Sequence, residues 1–202
     1  MTLVELLVAM SIFALFVALI LGTTVTIAQS ATRAQLVAES SNTTVTVFGA
    51  FDRQLRYADS INFPGTGPSG ARYVEFRTPA NSSASGATTC TQWRFVPSTA
   101  RLESRTWTDL TGSPSASWVT KASNVVDDGG SAYPFALTPA DGSSAMQQLV
   151  VTLHVGNATL NAGAAMTTSF VARNSSILSP SNADVNLNLV SDTPVCVAGV
   201  RP

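Results

Sequence analysis

Between Leu3 and Ile27 the chain is an almost unbroken apolar run, within MTLVELLVAMSIFALFVALILGTTVTIAQS, and nothing else in the sequence constrains it as much. From Leu6 to Leu21 the one polar side chain is Ser11. As a helix this stretch exceeds the ~20 residues needed to cross a bilayer core. A secretory signal peptide begins with basic residues and ends in a small-residue cleavage site. Here no Lys or Arg precedes Arg33, and no such site is followed by a clear mature start, so the segment is expected to be retained. One acid interrupts the pattern. Glu5 would cost several kcal/mol in an apolar setting unless paired, and less if it reached the membrane interface. The nearest cation is the amine of Met1, one helical turn away, or the Met1 amine of a second copy. Pairing between copies would fix an axial stagger between neighbouring helices.

The rest of the composition narrows the function classes. Only 11% of the 202 residues are charged and the net charge is −1, against about 25% charged in ordinary soluble domains. Basic residues are sparse and unclustered, and Lys121 is the one lysine, so no direct nucleic-acid site is evident. The two cysteines, Cys90 and Cys196, belong to no CxxC, and His154, the one histidine, is remote from both in sequence. A metal site is not expected from this set, nor any cofactor. The cysteines read either as an extracytoplasmic disulfide, the expectation here, or as two buried free thiols. Bridged, they would close a loop of 106 positions, worth about 4–5 kcal/mol in the chain-entropy model.

After Gln29 the pattern turns amphipathic. Val37, Ser41, Val45, Phe48, Phe51, Leu55 and Ala58 recur at spacings of three and four and predict one helical face. The helix is expected to end near Ser60, before the turn-rich NFPGTGPSG. Thr43–Val47 is β-prone and is the weakest part of that helix. The remainder reads as strands: Arg72–Phe76, Thr91–Pro97, Arg101–Trp107, Gln147–Val155 and Met166–Asn174. The second and third are expected to form a hairpin, and the last two to pair across GNATLNAGAA. The expected class is α+β, an antiparallel sheet packed on the C-terminal half of a long N-terminal helix, with Phe48, Phe51 and Leu55 buried. Three regions follow: an apolar helix over 1–28, an amphipathic helix over 29–60 and a β-rich head over 61–202.

Chemistry-bearing residues are few. His154 falls on a predicted strand among apolar neighbours and reads as a satisfied sheet residue; it supports no catalytic triad, and no enzyme activity is expected. Asp184, Asn186 and Asn188 match the opening of a calcium loop but lack its glycine and its closing glutamate, so a polar surface segment is expected. Asp127–Gly130 reads as a turn. Asn42, Asn81, Asn157 and Asn174 each open an N-x-[ST] sequence, a pattern that arises by chance in so Ser/Thr/Asn-rich a chain.

The segment MTLVELLVAMSIFALFVALILG resembles the mature N-terminus of the type IV pilin and type II secretion pseudopilin superfamily. The resemblance rests on Thr2-Leu3, Glu5 at the fifth place and the apolar helix after it, over about thirty residues. Met1 stands where the family usually has Phe, and Gly22 where many members have a helix-breaking Pro. The resemblance implies a leader removed by a prepilin peptidase, methylation of the new N-terminus, and residue numbers counted along the processed chain. It also implies passage through the inner or cytoplasmic membrane, an assembly platform there, and packing into a helical filament of identical or other pilins at the cell surface. Small residues Ala9, Ser11, Ala14 and Ala18 would allow close helix approach. Gly22 and the β-branched residues after it lower helix propensity, and local unwinding within Leu19–Thr26 is expected in a filament. Phe51–Ala58 and WRFVPSTARLESRTW are similar to segments of larger minor pilins and J-type pseudopilins, and Cys196 resembles the family's disulfide-closed last loop.

Three functions fit these residues. One is a filament subunit in which Glu5 pairs with a neighbour's Met1 amine. Another is a low-copy minor pilin or pseudopilin of a secretion or competence machine. The third is a singly anchored surface binding protein that never polymerises.

Overall fold

The computed structural model describes residues 2–109, 114, 117–130, 133–157 and 159–202. A single helix, α1 (Leu3–Leu55), spans 53 residues and crosses the expected 28/29 boundary without a break. At 1.5 Å per residue it is about 80 Å long. Its β-prone part, Thr43–Val47, remains helical. There the Thr44 and Thr46 hydroxyls donate back to the carbonyls of Ser40 and Asn42, at 2.8 Å each, so neither hydroxyl is left unpaired.

The head holds two antiparallel sheets, where the strand pattern suggested one. The larger contains β1 (Ser60–Ile61), β2 (Gly65–Thr66), β3 (Arg72–Thr78), β4 (Thr89–Val96), β5 (Arg101–Thr108) and β6 (Val119–Ala122). Its order is β1-β3-β4-β5-β6, with β2 also on β3. The predicted hairpin is β4–β5, closed by a short turn over Pro97–Thr99 and by Ala100 in the left-handed region (φ 52). The smaller sheet is β7 (Phe135–Thr138), β8 (Gln148–Asn157) and β9 (Ala162–Val171), in that order. The expected β8–β9 pairing is present, but it runs further than predicted, to Asn157↔Ala162. The opposed glycines Gly156 and Gly163 permit this. A Cβ on either would lie 2.6–2.8 Å from the other's Cα, so the backbones approach more closely than side chains allow.

Phe51 ties the helix to both sheets. Its ring stacks on Trp93 of β4 at 4.0 Å and packs against Phe135 of β7 and Phe170 of β9 at 6.1 and 5.8 Å. Phe51, Leu55, Trp93, Leu149 and Leu153 are all fully buried. Side chains of this size contribute about 1.5–3 kcal/mol each on burial. The Trp93 indole N–H is satisfied by Gln54 Oε1 at 3.0 Å.

Two details of the predicted helix change. The buried row is Ser40, Thr44, Val47, Phe48, Phe51 and Leu55, while Val37 and Val45 are 41% and 59% exposed. Val45 lies about 100° around the helix from Thr44, off the buried line, whereas Val37 shares the angular position of Leu55 but sits about one turn before Ser40, the first buried residue of the helix. The helix also stops at Leu55 and not near Ser60. Ser60 and Ile61 are drawn into pairing with Arg77 and Phe76, and Asp59 forms an ion pair with Arg77 at 2.9 Å. The Arg173 N–H donates to the Arg56 carbonyl, one of the helix-end acceptors.

Candidate assembly site

The N-terminus of α1 is built by its own first residues. Thr2 is the N-cap, and Thr2 with Glu5 forms a reciprocal capping box. The Thr2 N–H donates to Glu5 Oε2 at 2.8 Å, and the Glu5 N–H donates to Thr2 Oγ1 at 3.4 Å. Glu5 thus has a local duty beyond the expected ion pair, and the Thr-x-x-Glu spacing is its signal. Met1, the expected partner of Glu5, lies outside the described residues.

From Thr2 to Gln35 every side chain of α1 is exposed, and nothing in the head covers the apolar run. Leu3, Phe13, Leu15, Leu19 and Ile27 are all at least 65% exposed. By length and composition the segment can cross a membrane. Ser11, Ala14 and Ala18 share one stripe at i, i+3 and i+7, whereas Ala9 faces the opposite side. The Ser11 hydroxyl is satisfied by the Leu7 carbonyl at 2.8 Å. The helix runs unbroken through Gly22. Downstream, Thr23 and Thr24 both donate to the Ile20 carbonyl, at 2.9 and 2.8 Å, and Thr26 donates to the Gly22 carbonyl at 3.0 Å. Carbonyls released by a local opening would therefore keep hydroxyl partners in lipid.

Within the head Cys90 and Cys196 are joined in a disulfide, with Cα atoms 5.6 Å apart. The bridge is buried with Trp107 and Val195. Asp109 adjoins it, its Oδ1 lying 3.3 Å from Cys90 Sγ. Among the described residues this trio is the one group of His, Cys, Asp or Glu side chains close enough to share a cation, and both its sulfurs are committed to the bridge. His154 takes no part in it. It is half-buried on β8, and its backbone N–H donates to the Tyr133 hydroxyl at 3.3 Å. Burial pushes that tyrosine hydroxyl up to about 12.

A second fastening beside the disulfide has no signal in the sequence. Glu75 on β3 is buried, and Arg201 grips both its oxygens, at 2.9 and 2.5 Å. Gln92 donates to the same carboxylate at 2.9 Å and itself accepts from Arg105 at 2.7 Å. The Tyr73 hydroxyl holds the Pro202 carbonyl at 2.8 Å. The C-terminal segment is thereby strapped across the larger sheet by partners remote in sequence, which no local pattern encodes.

The remaining motifs resolve simply. Asp184 turns both carboxylate oxygens onto its own loop, accepting from the N–H groups of Asn188 and Leu189 at 3.0 and 2.8 Å. Asp127 and Asp128 accept from the N–H groups of Gly129 and Gly130, closing the expected turn. Arg72, hydrogen-bonded to Asp127 at 2.7 Å, holds that carboxyl below the usual carboxylate range. An N-terminal apolar helix carrying an antiparallel β head is compatible with a pilin-like fold. Comparison with models of known protein families, with curated proteins and with solved structures gives no match to this chain.

Proposed function

We propose that this protein is a structural subunit of a type IV pilus-like filament at the cell surface, held in the inner or cytoplasmic membrane before assembly. The observation that carries the reading is the bare N-terminal half of α1. From Thr2 to Gln35 the helix is exposed along its whole length, and its apolar run has no cover from the head. Such a surface is stable in lipid or against other apolar helices, and polymerisation exchanges one for the other. Glu5 is the one carboxylate on that run. In a dry filament core it needs a cation, and the Met1 amine of a neighbouring copy supplies one at the correct end of the helix. Gly22, followed by threonines that bond back to the carbonyls of the preceding turn, gives the helix a place to open during packing. On this reading the subunit acts through assembly and not through catalysis. Its working partners are a prepilin peptidase, a membrane assembly platform and other pilins.

The test is mass spectrometry of filaments sheared from the cell surface. A dominant chain beginning at a methylated Met1 is the expected result. Trace amounts with the same N-terminus would instead identify a low-copy minor pilin or pseudopilin. An unprocessed chain confined to the membrane would leave the anchored surface protein as the correct reading.

A further inference from the structure

Two charged residues bracket the apolar run of α1. Glu5 and Arg33 lie 28 positions apart with no other acid or base between them, about 42 Å along a helix. A bilayer with its headgroups is ~40–45 Å thick. With Glu5 at one interface, Arg33 therefore sits at the level of the phosphates of the other. It also lies on a particular side of the helix. Arg33 and Gln29 stand 18 residues, about five full turns, before Phe51 and Val47. They continue, on the membrane side of Ser40, the face that the head covers beyond it. Among the described residues no carboxylate pairs with Arg33.

The head reaches down to that level. The turn joining β8 to β9 carries Leu160, which lines, with Ala28, Gln29, Thr32 and Arg33, a notch of about 320 Å³ between hairpin and helix. The tip is held in shape by its own backbone and amides. Asn157 Oδ1 accepts from the Leu160 N–H at 3.1 Å, and Asn161 turns the chain in the left-handed region, at φ 47. Leu160 is 38% exposed, and Thr159 and Asn161 are exposed beside it. From Val155 to Val171 the chain has no acid or base, so setting this end of the smaller sheet against lipid desolvates no ion. The notch itself is two-sided. Ala28 and Leu160 form an apolar wall. The Thr32 hydroxyl is spent on the Ala28 carbonyl at 3.0 Å, so Gln29 and Arg33 supply the donors of the polar wall.

We infer that the β8–β9 tip is a second membrane contact, with Leu160 resting in the interfacial layer and Arg33 holding a phospholipid phosphate in the notch. Continuity argues for this occupant. The notch begins at Ala28, the residue after Ile27, where the apolar run ends. A bilayer that takes in the run therefore brings its headgroups to the notch. The guanidinium offers paired N–H donors that match a phosphate, and Ala28 and Leu160 match the glycerol and the first methylenes. A lone helix leaves its tilt to its surroundings, whereas a foot beside it limits how far the head can lean. The inference rests on the membrane-held stage of the reading above and adds the contact that orients the head there.

The experiment places the full chain in vesicles of equal parts phosphatidylethanolamine and phosphatidylglycerol, with a fluorescent amino acid at position 13, 160 or 178. Lipids spin-labelled at the headgroup or deep in the acyl chain act as quenchers. Position 13, inside the apolar run, should be quenched by the deep label, and position 160 by the headgroup label. Position 178 should respond to neither, because its neighbour Ser179 bonds the Asp59 carbonyl beyond the other end of α1. Arg33→Gln should shift position 160 about fivefold towards the unquenched state. Quenching at position 13 without quenching at 160 would overturn the contact and leave the membrane reading standing. No quenching at position 13 would overturn the membrane reading and the contact with it. Headgroup quenching at 160 that Arg33→Gln leaves unchanged would overturn the phosphate assignment.

Discussion

Glu5 has two physically separable duties, and replacing it with Gln separates them. In the capping box its side-chain oxygen accepts from the Thr2 N–H at 2.8 Å. Glutamine keeps such an oxygen in the same place, so Glu5→Gln retains the cap, while Glu5→Ala removes it at a cost of about 0.5–2 kcal/mol. The charge is a different matter. If Glu5 pairs with a neighbour's amine in an apolar core, either substitution strands that amine, at about 3–5 kcal/mol per contact. That corresponds to roughly 10²–10⁴-fold weaker association. The assay is the mass of sheared filaments per cell, with circular dichroism of the detergent-solubilised chain to verify the helix. Glu5→Gln should assemble as poorly as Glu5→Ala while its helix content stays at wild-type level. Wild-type filament yield from Glu5→Gln would show that Glu5 serves only as a cap, and the ion-pair reasoning would be wrong.

Three further outcomes are expected. Cys90→Ser with Cys196→Ser should lower the stability of the head by about 4–5 kcal/mol if the chain-entropy account holds, read as a shift in the denaturant midpoint; an unchanged midpoint would contradict it. Phe51→Ala should cost about 3–5 kcal/mol, because three rings from two sheets lose their common neighbour, whereas Val45→Ala, on the exposed row, should change thermal stability little. Asp127 has its carboxyl lowered by Arg72, so its contribution is present above the ordinary aspartate range and is lost as pH falls through the lower folded value. Thermal unfolding followed from about pH 5 down to about pH 2.5 should therefore show a slightly steeper acid loss in wild type than in Asp127→Asn, and parallel curves would refute this.

Elements encoded by local periodicity are legible in the residues alone. The apolar run, the amphipathic continuation, the β4–β5 hairpin and the β8–β9 pair all declare themselves through spacings of three to four or of two. The pairing of Cys90 with Cys196 is legible for a simpler reason, since two cysteines allow only one bridge. What the residues do not reveal depends on distant partners. Val37 is exposed because it precedes Ser40, where the head begins to cover the helix, and Val45 because it lies about 100° off the buried line; where cover begins along the helix is not written in its periodicity. The division of the strands into two sheets follows from how they flank Phe51, which strand patterns do not specify. The Glu75–Arg201 clamp joins residues 126 positions apart, and neither has a neighbour that marks it. The capping role of Glu5 is local and readable from Thr2-x-x-Glu5, but the suitability of the same residue for an ion pair masks it.

The disulfide also sets how the head responds to tension. Without it, a pull on the C-terminal loop could draw out the 106 positions between Cys90 and Cys196, roughly 350 Å of contour length. With it, the load path is short. From Leu187 the force reaches Cys196 within nine residues, crosses covalently to Cys90 on β4, and arrives three positions later at Trp93. The Trp93 ring stacks on Phe51, so the load reaches α1 through a buried aromatic contact. Between the C-terminal loop and α1, the slack the head can release is thereby shortened to the stretch from Leu55 to Cys90 and the few residues before Cys196.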